Sequence, residues 1–180
     1  NDLARLSDTL PYRLDILEII NAANSLKKGS SNVNILMPSS GVGGYCLTKD
    51  PLFLFEEGKK NGINMNTVIA ARMTNDLMPS YSCHKIKEKL ISQNKIVSQV
   101  SIIVMGLSFK TNSGDIRNTP VLPFIKSLKV EGLSNVSTYD PLIKDDDYSS
   151  LGLKKSLNVE KDIREADCIA VMNGHEKMFQ

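Results

Sequence analysis

The residues best equipped for chemistry lie in one short stretch, MPSSGVGGYCLTKDPLFL, Met37 to Leu54. Gly41, Gly43 and Gly44 fall within four positions, and Cys46 follows two residues after the last of them. A backbone without Cβ atoms can approach a ligand closely, and its amides suit the oxygens of a sugar or phosphate. Cys46 opens a helix expected from Leu47 to about Lys60, with Leu54 and Phe55 inward. At such a place the helix dipole and the nearby Lys49 both attract an anion, and the thiolate is the form of cysteine that attacks a carbonyl. Asp50, one helical turn on, falls on the same face, where it can orient a water or a lysine. The plainer reading is a glycine turn entering a helix, followed by a buried inert cysteine. The residues by themselves leave both open.

A second cluster is GLSFKTNSGDIRNTP, Gly106 to Pro120. It follows VSIIVMGLSF, an apolar run rich in branched residues that reads as a buried strand. Lys110 suits phosphate oxygens, but it is equally a solvated lysine, and Arg117 is equally a partner for Asp115.

The elements that must hold these clusters follow from periodicity. NDLARLSDTL reads as the end of a helix. Arg13 to Lys28 has helical spacing and stops at Gly29. Asn64 to Asn94 reads as one long helix, capped by Asn64 or Asn66 and bent or broken at Pro79. Beyond it come a strand, a helix from Asn118 to Gly132, the strand NVSTYDP, the helix NVEKDIREA and the strand DCIAVMNG. Strand–helix alternation predicts crossovers and a parallel sheet. The expected class is α/β: a helical unit over residues 1–94, then a Rossmann-like parallel α/β unit over 95–180.

Composition narrows the function. The formal net charge is +2, with no block of like charges, so nucleic acid is not an expected partner. No apolar run reaches the roughly 18 residues of a membrane span. The three cysteines, Cys46, Cys83 and Cys168, fit neither a disulfide framework nor a zinc spacing, which suggests reduced thiols in a cytoplasmic protein. Two isolated histidines, His84 and His175, make no metal site.

Taken together, the motifs resemble the UDP-glucose/GDP-mannose dehydrogenase family. GVGGYCLTKDPLFL is similar to its active-site cysteine motif, and VNILMPSSGVGGYCLTKDP to its branch acting on UDP-N-acetyl-hexosamines. GLSFKTNSGDIRNTP resembles the opening of its C-terminal nucleotide-sugar domain; STYDP and READCIAVMNGHEKMF match later parts. The resemblance implies oxidation of a UDP-sugar C6 alcohol to a carboxylate with two NAD⁺. Cys46 would be the nucleophile, holding first a thiohemiacetal and then a thioester, with Asp50 assisting water and proton steps. It also implies sugar contacts at Gly41, Gly43 and Gly44, nucleotide contacts at Phe109 and Lys110, and NAD contacts at Lys49 and Arg117. A homodimer paired through the long helix is implied too.

The sequence also departs from the family. The family's N-terminal NAD-binding domain is expected to precede Asn1 and is absent here, as are a catalytic lysine and asparagine upstream, so this chain alone is expected to be inactive. Asn32 stands where the family often has a basic residue, and Tyr45 where many relatives have Ser or His. Two other classes compete. One is an isolated dinucleotide- or nucleotide-sugar-binding module without catalysis, with Asp140 as its ribose-binding acid. The other is a cysteine hydrolase, for which neither histidine has a local signature.

Overall fold

Ile102, Ile103, Val104 and Met105 are buried one after another, so the strand they form is covered on both faces. This strand, β1 (Ser101–Met105), is the middle of a three-stranded parallel sheet. Its neighbours are β2 (Asn135–Tyr139) and β3 (Cys168–Val171), in the order β2-β1-β3. Ile103 lies opposite Ser137 on one side and Ile169 on the other. The computed structural model describes residues 1–11, 13–25 and 35–178. The expectations placed on Lys28, Gly29 and Asn32 fall outside them.

By contact the chain divides into residues 1–39 and 40–180. In the first unit are the helices α1 (Asp2–Ser7) and α2 (Ile16–Asn24). Asp15 starts α2 by accepting from the amides of Leu17 and Glu18 at 2.9 and 3.3 Å. Asn24 closes it by pairing with both backbone groups of Ile35, each at 2.9 Å.

The second unit begins with α3 (Tyr45–Lys60) and α4 (Asn66–Ser92). α5 (Val121–Val130) links β1 to β2; α6 (Asp145–Ser150) and α7 (Val159–Glu165) lie between β2 and β3. The fold is therefore α/β with a parallel sheet, as the alternation predicts. Its core joins Val100, Ile102, Val104 and Leu107 to Val121, Phe124, Ile125 and Leu128 of α5. Cys83 and Leu90 bring α4 into the same core. Truncating a fully buried side chain such as Leu128 to alanine costs about 2–5 kcal/mol.

Several local expectations change. α4 runs unbroken through Pro79, which is buried. Its N-cap is Met65, without a side-chain cap, and not Asn64; Asn66 is already helical. α3 starts two residues earlier than expected, because Gly44 makes the turn at φ +85°. Leu54 is exposed on α3, not inward. α5 starts at Val121, since Asn118 has φ +49° and the Thr119 hydroxyl caps the Val121 amide at 3.3 Å. α6, an acidic turn, has no apolar periodicity to announce it.

Candidate active site

Cys46 is exposed on the first turn of α3. Lys49 and Asp50 follow on the same helix and are also exposed. The Lys49 ammonium lies 5.2 Å from the centre of the Phe53 ring. Thr48 turns its hydroxyl back to the Gly44 carbonyl and receives the Asn118 side-chain amide at 3.1 Å.

The glycine loop before Cys46 is seated on protein. Gly43 and Gly44 are buried, and a Cβ on Gly43 would stand 2.5 Å from the Phe109 Cβ and 2.7 Å from the Asn118 carbonyl oxygen. A Cβ on Gly44 would stand 2.9 Å from the edge of the Phe109 ring. The Gly44 amide donates to the Arg117 carbonyl at 3.1 Å. The Val42 amide donates to Asn75 Oδ1 of α4 at 2.8 Å. The glycines thus meet a packing need, and the Val42 and Gly44 amides are already engaged. From α4, Arg72 also reaches the Leu47 carbonyl at 3.1 Å while pairing with Asp76.

These contacts bring α3, α4 and the β1–α5 loop together around a cavity of about 480 Å³, lined by Val42, Thr48, Arg72, Asn75, Asn118 and Pro120 among others. Arg117 lies over the Tyr45 ring at 4.7 Å and interacts electrostatically with Cys46. Its Nε donates to Asp115 at 2.8 Å and its Nη2 to the same carboxylate. That pairing holds Asp115 below, and Arg117 above, its ordinary pKa. Lys110 is exposed beside the half-buried Phe109. The structure therefore gathers Cys46, Gly43, Gly44, Phe109 and Arg117 around one junction.

Asp140 does not face solvent. It is 2% exposed, and its carboxylate accepts from the amides of Leu107, Ser108 and Leu142 and from His175. Cys83 is buried and Cys168 half-buried, and burial raises both thiols, Cys83 to about 11. His84 is exposed and within 3.4 Å of Glu88. Among the described residues no cluster of His, Cys, Asp and Glu is arranged to hold a metal ion, and no helix is long and apolar enough to cross a membrane. The sequence reading missed Arg72, Asn75 and Asn118. Their one signal was a run of polar residues where a packed helix or turn needs none.

The chain belongs to the UDP-glucose/GDP-mannose dehydrogenase family: residues 1–77 match its central domain and residues 103–180 its UDP binding domain. It is 32% identical over 164 residues to a UDP-N-acetyl-D-mannosamine dehydrogenase of Pyrococcus horikoshii, covering 91% of this chain and 35% of that protein. To the enzyme of the same name from Campylobacter jejuni it is 31% identical, covering 100% and 42%. The solved structure of UDP-D-ManNAc dehydrogenase from Pyrococcus horikoshii superposes with a TM-score of 0.80 at 30% identity, over 98% of this chain and 38% of that one. The chain thus spans well under half the length of these relatives.

Proposed function

We propose that this chain is the cysteine-bearing and nucleotide-binding part of a dehydrogenase that oxidises C6 of a UDP-N-acetyl-hexosamine to the carboxylate. The observation that carries the reading is the docking of Gly43 and Gly44 on Phe109, which joins the Cys46 loop to the Phe109–Lys110 segment in one structure. In this reading Lys110 meets a phosphate and Phe109 covers part of the nucleotide. The sugar then extends toward Cys46, with Gly41, Gly43 and Gly44 shaping its path. The Cys46 thiolate adds to the C6 aldehyde carbon, giving a thiohemiacetal. Loss of a hydride leaves a thioester, which water hydrolyses with help from Asp50. Names of the relatives above favour an N-acetylated sugar.

NAD⁺, when bound, accepts the hydrides. On this chain Lys49 and Arg117 would meet it. Both are exposed cations near Cys46 in the sequence or structure, which suits an anionic cofactor. Arg117 would meet a pyrophosphate only by sharing or releasing Asp115. In the longer protein the central unit, read here as residues 1–94, would support a homodimer through α4, with the UDP-binding unit over 95–180.

Calorimetric titration of the chain tests the reading. UDP should bind at roughly 10–1000 μM, about 4–7 kcal/mol. NAD⁺ should bind far more weakly. Lys110→Ala should weaken UDP by about 1–3 kcal/mol, the scale of a charge-assisted hydrogen bond. Tight NAD⁺ binding without a response to UDP would favour a dinucleotide-binding module instead.

A further inference from the structure

His175 is fully buried and its two ring nitrogens face opposite demands. Nδ1 receives the Asn112 amide at 2.9 Å. A backbone N–H only donates, so Nδ1 carries the lone pair and the ring proton sits on Nε2. Nε2 then donates toward Asp140 Oδ2 at 3.0 Å, with Ser108 Oγ at 3.1 Å beside it. Ser108 passes its own proton to the Lys110 carbonyl at 3.1 Å and accepts from the Asn173 side-chain amide at 3.0 Å. Asn112, held at φ +56°, returns a bond by accepting the Glu176 amide at 3.0 Å. Asp140 receives the Leu107 and Ser108 amides at 2.8 and 3.2 Å. The segment from Leu107 to Asn112 is thus gripped along its inner side, while Phe109 packs on the glycine loop and Lys110 is left exposed.

We infer that His175 is the positioning residue of the nucleotide loop. It fixes the turn at Asn112 through Nδ1, and so sets where Phe109 and Lys110 point. The inference rests on the proposed nucleotide reading. The two nitrogens have separable roles. Asp140 keeps three amide donors without His175, but the Asn112 amide would lose its acceptor. Asn112 itself is exposed, so its amide would turn to water and the turn would lose the tie that holds it.

Two substitutions divide these roles. In His175→Asn, Oδ1 takes the place of Nδ1 and still accepts from Asn112. In His175→Gln, the amide reaches the Nε2 position and still donates to Asp140, leaving Asn112 unpaired. Calorimetric titration with UDP should give wild-type affinity for H175N. H175Q should be weakened several-fold, up to about tenfold, the scale of one hydrogen bond. Amide exchange at Asn112 should be faster in H175Q than in H175N. Wild-type affinity in H175Q overturns the inference, as does equal weakening in both variants that tracks their melting temperatures. If the wild-type chain does not bind UDP, the nucleotide reading fails, and Asn112 exchange alone decides whether His175 orders the loop. Should neither variant fold, the imidazole ¹⁵N shifts of the wild-type chain decide: a proton on Nδ1 near neutral pH removes the acceptor and overturns it.

Discussion

Phe109 occupies the space that a side chain on Gly43 would need: an added Cβ would stand 2.5 Å from the Phe109 Cβ. Gly43→Ala should therefore lift the loop from its seat at a cost of about 1–3 kcal/mol, the usual scale of overpacking. Gly44→Ala adds backbone strain at φ +85°. Urea unfolding of the two variants checks the energies. Phe109→Ala removes the ring that a Cβ on Gly44 would meet, so in the Gly44→Ala background it should recover part of the loss, and a strictly additive double mutant would sink the argument.

The three thiols should differ in reactivity. Cys83 is fully buried, and its thiol is pushed from 9.0 to about 11 by burial, with Glu131 adding to the effect. A rise of that size lowers its thiolate fraction about 100-fold near neutral pH. Cys46 is exposed, so iodoacetamide followed by peptide mapping should label it first. Comparable rates at Cys46 and Cys83 would mean that α4 does not bury Cys83 in the core as described.

The same burial predicts an alkaline limb in stability. Between pH 9 and about 11 the unfolded chain gives up the Cys83 proton while the folded chain retains it. The unfolded state then binds fewer protons, and stability falls as pH rises, by up to about 2 kcal/mol. Tyr148, raised to about 12 chiefly by burial, extends the limb upward. Cys83→Ala should be less stable at pH 7 yet lose less between pH 9 and 11. An unchanged slope in urea titrations would refute this.

An acid limb is predicted at the start of β1. Asp167 bonds Lys95 at 2.7 Å and the Ser101 amide at 3.0 Å, which lowers its pKa from 3.8. Its contribution is present above that value and is lost as pH falls through the lower, folded one. Asp167→Asn should reduce stability at neutral pH and flatten the decline below pH 4, as measured by acid unfolding followed by circular dichroism.

The elements that sequence made legible were those with one dominant cause. β1 is announced by unbroken branched residues, and α4 by its length. The helix after β1 was legible as an element, although it starts at Val121 and not at Asn118. What stayed hidden depends on contacts distant in sequence. Asp140 ends a strand where a ribose-binding acid would stand, and the Leu107 and Ser108 amides with His175, all more than thirty positions away, make it a buried acceptor. Gly43 and Gly44 looked like ligand-facing backbone because Phe109, their occupant, lies more than sixty positions away. Leu54 looked inward because helical spacing gives a face its pattern but not its partner.

Pro79 carries no amide hydrogen, so the carbonyl four residues before it, that of Asn75, has no helical partner. That oxygen would lie 3.5 Å from a Cβ on Gly41, and the Asn75 side chain already holds Val42. The long helix has given up an internal rung where its Asn75 side chain brackets the glycine loop. Residues 75–79 of the helix and the glycine loop are consequently tied: a load that pulls on this stretch of the rod also pulls, through Val42, on the segment that leads into Cys46.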